Sequence, residues 1–307
     1  LALQVVATLV VAWFVVKALV AQWHAVHGQP IQLHPNWLII LASAFVVLAA
    51  YAVLIEAWRR ILVAWKTSLG FWPAVRIMSV SRLGLYVPGR VWQMTAMAGM
   101  ARGENVPPVA AVGSSVLNTI VNLAMGFLVA LVAGWRSFGR ISQGKTGLGV
   151  TLFLIVLTAV LLLPSALPLI LGWARRVTGK DLIDATLPHR AVYLAIVANI
   201  VAWLLYGAAF ELFVLGVTGS APGSYADYVS SWAWSYLAGY LAIIVPGGLG
   251  VREGALAVAL NTLNLATPPT AVVIAVSSRL WLSVLEVIPG VLFLKRVGGS
   301  RPRAPTT

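Results

Sequence analysis

Six stretches of this chain, 3–23, 37–57, 109–135, 150–173, 191–217 and 270–294, are each long and apolar enough to cross a bilayer as a helix. Such a span needs roughly 20 apolar residues at helical rise. With 60% of the 307 residues hydrophobic and only 9% charged, a soluble domain has nowhere to hide this surface. The bilayer must be part of the solvent, and the expected fold is an all-α polytopic membrane protein. The first run is too long for a signal-peptide core and has no cleavage site, so it is read as a span. The chain opens at Leu1 rather than Met, and a native N-terminal extension is expected to precede it.

Two further apolar stretches, 71–103 and 225–263, are interrupted by Pro-Gly, Gly-Gly and arginine. They read as re-entrant helical hairpins, because non-helical backbone at membrane depth is tolerated only where protein or a wet cavity covers it. The net charge of +13 would suggest nucleic acid in a soluble chain. Here the basic residues gather where apolar runs end, so no nucleic-acid partner is expected. Segments 25–36 and 218–227 contain no Lys or Arg and are expected outside. Arg59, Arg60, Lys66, Arg76, Arg82, Arg90 and Arg102 crowd 58–108, four more lie in 174–190, and Lys295, Arg296, Arg301 and Arg303 follow the last span. Both termini are therefore expected in the cytoplasm. Arg136, Arg140 and Lys145 run against this assignment, since it places their loop outside.

The two halves, 1–149 and 150–307, share an order of features. Val87-Pro88-Gly89 is followed by a short helix, Pro107-Pro108 and Ser114-Ser115; Val245-Pro246-Gly247 is followed by a short helix, Pro268-Pro269 and Ser277-Ser278. Each half reads span, span, broken hairpin, Pro-Pro, span. An odd number of spans per half turns the second copy upside down, the inverted repeat of many transporters. Chance is the alternative, because Pro-Pro at a helix start and Pro-Gly in a turn are both common.

Arg90 follows the first break, and Gly248, Arg252 and Glu253 follow the second. A Pro-Gly break frees backbone N–H groups and starts a helix whose positive end attracts anions. An arginine there adds a fork that fits phosphate, although Arg90 could equally snorkel to headgroups. Glu253 is expected to hold Arg252 in place or to carry protons. Arg279 lies inside the last span, seven positions before Glu286. That spacing shares a helix face but separates the pair by about 10 Å, so they are not expected to bond to each other. Intramembrane charge usually faces a partner or a wet cavity. For Glu286, near the cytoplasmic end, solvation among headgroups is the competing expectation. Ser114, Asn118 and Asn122 form a polar stripe that must face protein, as helix–helix glue or as a cavity lining. Trp23, Trp37, Trp135 and Trp173 fall at span ends and read as an interfacial belt.

No other chemistry has a pattern to support it. His24, His27 and His34 share one loop without companion carboxylates, and there is no His-Glu-x-x-His, Walker loop or aspartate cluster for Mg²⁺. No cysteine is present, so there is no thiolate, disulfide or cysteine metal site. No enzyme activity, metal or cofactor is expected.

At Pro246–Leu256, PGGLGVREGAL, the chain resembles the transmembrane domain of lysylphosphatidylglycerol synthases and their stand-alone flippase-like relatives. The resemblance continues in YVPGRVWQM (86–94) and in SSRLW around Arg279, and spans most of the chain. Such a domain moves an aminoacylated phospholipid between leaflets while a separate soluble domain attaches the amino acid. The resemblance therefore implies transport without synthesis. Relatives often carry an acidic residue in the span after the first hairpin, where this chain has Asn118.

The expected function is binding and translocation of a lipid with an anionic or phosphate-bearing headgroup, either a membrane phospholipid or an isoprenoid-phosphate-type lipid. Arg90, Arg252 and Arg279 are the expected clamp, with Glu253 orienting an arginine or coupling protons. Pro88, Gly89, Pro246, Gly247, Gly248 and Asn118 are expected around it. The alternatives are a non-transporting subunit that binds lipid within a larger complex and, third, an embedded lipid-modifying enzyme. A membrane-protein partner or a homo-oligomer is open. The expected location is the inner, plasma membrane of a prokaryote.

Overall fold

The computed structural model describes residues 33–65, 67–86, 91–135, 188–242, 248 and 250–297, together with 154, 155, 158 and 162. Among the described residues there are eight α-helices, a 3-10 segment at Leu83–Tyr86, and no strand. The helices are α1 (Trp37–Ala64), α2 (Phe71–Arg82), α3 (Val91–Gly103), α4 (Pro108–Ala133), α5 (His189–Thr218), α6 (Tyr225–Leu241), α7 (Val251–Thr262) and α8 (Pro268–Val297). Four are long and apolar enough to cross a membrane, α1, α4, α5 and α8, with mean hydropathies of 2.8, 2.1, 2.0 and 1.9. The protein is an all-helical membrane protein.

These four helices correspond to four of the six expected spans. The expected span 3–23 lies outside the described residues, as does 150–173 apart from Leu154, Ile155, Thr158 and Leu162, all helical. α1 continues beyond the expected end at 57, through three charges. Glu56 lies 2.6 Å from both Arg59 and Arg60, so one carboxylate offsets part of their charge along the helix, which need not end there. Asn36 starts α1 by accepting from the backbone N–H of Leu38 (3.1 Å) and Ile39 (3.3 Å).

The interrupted stretches fold as pairs of short helices. α2, α3, α6 and α7 have 12, 13, 17 and 12 residues, below the roughly 20 needed to span. α2 packs on α3, and α6 on α7. The joining breaks, 87–90 and all of 243–249 except Gly248, lie outside the described residues.

The most extensive helix–helix contact joins α1 to α5. They run antiparallel: the Asn36 N–H donates to the Gly216 carbonyl at 2.7 Å, while Tyr51 meets Tyr206 at 5.9 Å between ring centroids. Gly216 permits the close approach, since a Cβ there would lie 2.8 Å from Ile40 Cγ1. Two further contacts join helices distant in sequence in matched fashion. α4 packs on α6 and α8 on α2, so the first helix of each short pair leans on a long helix distant from it in sequence. Within the halves, α3 packs on α4 and α7 on α8.

Two apolar clusters result. The larger joins α1, α4, α5, α6, α7 and α8 around Trp203, Phe210, Tyr228 and Trp232; the smaller holds α2 and α3 to α1 and α4 around Trp58, Ile77 and Met97. On α1, Trp37, Leu41, Phe45 and Leu48 are exposed although the opposite face, Val47, Ala50, Leu54 and Trp58, is buried. A helix apolar on both faces suits protein on one side and lipid on the other.

Candidate functional site

Charged side chains from α2, α7 and α8 meet inside this packing, against rings from α1, α5 and α6. On α8, Arg279 and Glu286 point at different partners, as their spacing requires. Arg279 Nε lies 3.6 Å from Glu253 Oε1 on α7. Glu286 Oε1 accepts from the Tyr51 hydroxyl of α1 at 3.1 Å and lies 3.7 Å from Arg82 Nη1 of α2. Each of these charges thus has an opposite charge from another element, the condition under which ionised groups persist at membrane depth. Glu286 is thus bonded to side chains of α1 and α2, with 17% of its side chain exposed.

Arg252 is different. It stands in the first turn of α7, 6% exposed, and its guanidinium lies 4.6 Å from the Trp232 ring and 5.2 Å from that of Tyr236, both on α6. Among the described residues no carboxylate forms an ion pair with it. The expectation that Glu253 holds Arg252 is corrected. Neighbours on a helix are turned about 100° apart, so Arg252 faces α6 while Glu253 faces α8. The other oxygen of Glu253, Oε2, accepts from the Gly250 backbone N–H at 2.6 Å, which caps the start of α7. Its Oε1 is buried with no hydrogen bond, an acceptor aimed into the site.

Rings connect the two ends of the cluster. Arg82 lies 4.3 Å over the Tyr51 ring, which meets Tyr206; Tyr206 meets Trp203 at 6.1 Å, and Trp203 meets Tyr236 at 5.3 Å. An aromatic wall thus carries a guanidinium at each end, a setting in which cation–π attraction adds to ion pairing.

Of the residues singled out from sequence, Arg252, Glu253 and Arg279 come together here. Gly248 (φ +65°) packs on the Gly239 backbone and brings the start of α7 against α6. Pro88, Gly89, Arg90, Pro246 and Gly247 lie outside the described residues. Asn118 belongs to a hydrogen-bonded ladder between α4 and α5. The Asn199 carboxamide donates to Asn118 Oδ1 (3.2 Å) and to the Ala195 carbonyl (2.7 Å), and accepts from Asn122 Nδ2 (2.8 Å). Asn118 is thereby engaged in gluing helices together, and no headgroup role is proposed for it. Replacing Asn199 with Ala should lower stability by about 1–2 kcal/mol, because it strands polar atoms on both neighbours. Thermal unfolding in detergent measures this; an unchanged midpoint would mean the ladder is dispensable.

Arg82, Tyr51 and Tyr206 do not stand out in the sequence as site residues. Arg82 counts there among the cytoplasmic positive charges, but one signal is present: Ser81-Arg82-Leu83 repeats the tripeptide Ser278-Arg279-Leu280. No protein-family model, curated protein or solved structure matches the chain, so the site stands on its own geometry.

Proposed function

We propose that the protein binds a lipid with an anionic or phosphate-bearing headgroup and moves it between leaflets, in the manner of the flippase-like relatives of lysylphosphatidylglycerol synthases. The observation that carries this reading is Arg252, a guanidinium 6% exposed inside a membrane protein with aromatic rings but no described carboxylate as partner. A buried cation in that state is costly unless an anion visits it. A phosphate is the fitting visitor, since the guanidinium fork matches two of its oxygens. Arg279 stands near enough to Glu253 to be held in place while it shares the headgroup charge. The open Glu253 Oε1 suits a hydroxyl of a glycerol-type or sugar-type headgroup. On this reading the paired short helices are re-entrant hairpins, and the matched contacts between halves are those of an inverted repeat whose two parts rock against each other. The seat lies where both parts meet, at the inner membrane of a prokaryotic cell with both termini cytoplasmic.

The test is translocation by purified protein in liposomes that carry fluorescently labelled phosphatidylglycerol, with label in the outer leaflet destroyed by an impermeant reductant. Wild type should expose the inner-leaflet label; Arg279→Leu, folded by thermal unfolding, should leave it protected. Protection with wild type would sink the transport reading in favour of a lipid-binding subunit. A chemically altered lipid would point to an enzyme instead.

A further inference from the structure

Glu211 takes no part in the site described above. It lies in α5, one of the four helices long and apolar enough to cross a membrane. The run Leu-Phe-Val-Leu-Gly-Val at 212–217 continues past it before the helix ends at Thr218. At helical rise the carboxylate therefore starts about 10 Å inside that end. A helical side chain leans toward the N-terminus of its own helix, so Glu211 is aimed away from the nearer end and deeper into the apolar band. It is half-buried, in line at helical spacing with Val197, Val201 and Leu204, which are exposed. Among the described residues it makes neither a hydrogen bond nor an ion pair. Two phenols of α6, Tyr225 and Tyr228, stand close enough to feel its charge. Both are engaged elsewhere: their hydroxyls donate to the Leu204 and Pro222 carbonyls at 2.6 and 2.7 Å. Asp227, the other carboxylate beside Tyr228, is occupied at the start of α6, where it accepts from the Ser224 backbone N–H (3.0 Å) and hydroxyl (2.7 Å). Glu211 alone of these groups has its hydrogen-bonding capacity open.

We propose that the outward face of α5 around Glu211 is a docking surface for a membrane-spanning helix of another protein, one that carries an arginine or lysine at the depth of Glu211. Carboxylates within membrane spans usually face an opposite charge or a wet cavity. Depth decides which cation can reach this one. Lipid amines and dissolved cations stay at headgroup level, whereas a cation about 10 Å inside the end of an apolar helix has to be carried there by a second helix. A second copy of this chain fits less well. The described residues at this end of the molecule, 33–37, 216–227 and 262–270, contain no Lys or Arg, and Arg279, further along α8, lies 3.6 Å from Glu253. Val197, Val201 and Leu204 supply the rest of the surface, because helices in lipid are held together by van der Waals packing and a polar contact fixes which helix fits. The inference does not depend on the headgroup reading.

The experiment uses a synthetic membrane-spanning helix of leucine and alanine, fluorescently labelled, with a single arginine at the matching depth. Two companion peptides carry leucine at that position or place the arginine at the terminus. Energy transfer from the labelled protein in detergent micelles reads binding. Wild type should bind the peptide with embedded arginine about fivefold tighter than the leucine peptide, the scale of one polar contact between helices in a membrane. Glu211→Gln should abolish that preference, and Glu211→Asp, which keeps the charge on a shorter stem, should retain part of it. Equal binding of the two peptides by wild type would overturn the proposal, as would a preference that survives in Glu211→Gln. If Glu211→Gln does not fold, the terminal-arginine peptide decides on wild type alone. It should bind no better than the leucine peptide, and a gain equal to that of the embedded arginine would put the contact at headgroup level and overturn the docking surface. Phosphatidylethanolamine added to the micelles should leave the preference intact; its loss would assign Glu211 to a lipid amine. Light scattering completes the test, since a wild-type dimer that dissociates in Glu211→Gln would make a second copy the occupant and overturn the proposed partner.

Discussion

Lysine in place of Arg252 should weaken binding of phosphatidylglycerol by more than about tenfold while the protein remains folded, since a lost charge-assisted hydrogen bond is worth about 1.5–3 kcal/mol. Charge and stem length are kept in this substitution, so a residue that only snorkels would tolerate it. What changes is the shape of the cation. The guanidinium stands over both the Trp232 and Tyr236 rings and offers a planar fork to a phosphate; an ammonium is a compact point that favours water over stacking. Thermal unfolding of the variant in detergent should stay close to wild type, because lysine can still attract the same rings. Binding equal to wild type would mean that Arg252 is a structural residue of the α6–α7 packing and that the headgroup sits elsewhere.

The largest loss of stability is expected from Gly248→Ala. Gly248 has φ +65°, a region that costs an L-residue about 1–2 kcal/mol. A methyl group there would also press into the Gly239 carbonyl and lie 2.8 Å from Gly239 Cα, and backbone cannot rotate away as a side chain can. Together these should cost about 3 kcal/mol or more, in the range of severe single substitutions. The damage should extend to the site. Gly239 also receives Arg252, whose Cβ would stand 2.8 Å from a Cβ at 239, so moving α6 from the start of α7 withdraws Arg252 from its rings. Gly254→Ala is the control: it lies in the same helix α7 with nothing within 4 Å of the added methyl, and should be neutral or stabilising by about 0.5–1 kcal/mol. Similar unfolding midpoints for the two variants would refute the close-contact argument.

Much of the helical layout is legible in the sequence, because bilayer thickness imposes a length on apolar runs and Pro-Gly imposes a break. Helix boundaries are less so. α1 passes through Glu56, Arg59 and Arg60 because those charges pair along the helix, which a hydropathy average does not register. For the site, depth is legible and partnership is not. Arg252, Glu253 and Arg279 stand out as charges amid apolar neighbours, yet helical periodicity says which face a residue occupies, not which residue waits opposite. Glu253 bonds to the helix start and reaches Arg279, and Glu286 reaches Arg82 from the far half of the chain. Asn199, the centre of the asparagine ladder, sits alone in an apolar run, and only its neighbours on α4 reveal its role.

The crossed packing of α2 on α8 has a consequence for how the molecule is made. A ribosome delivers Arg82 long before Glu286, since α3 to α7 must emerge first. Through that interval the growing chain carries a guanidinium whose described ion-pair partner has not yet been synthesised, so α2 lacks both that pair and its packing on α8. Docking of α2 on α8 therefore comes late in the making of the chain. A chain stopped before α8 should leave α2 undocked, and limited proteolysis should then cut at Arg82 more readily than in the full chain.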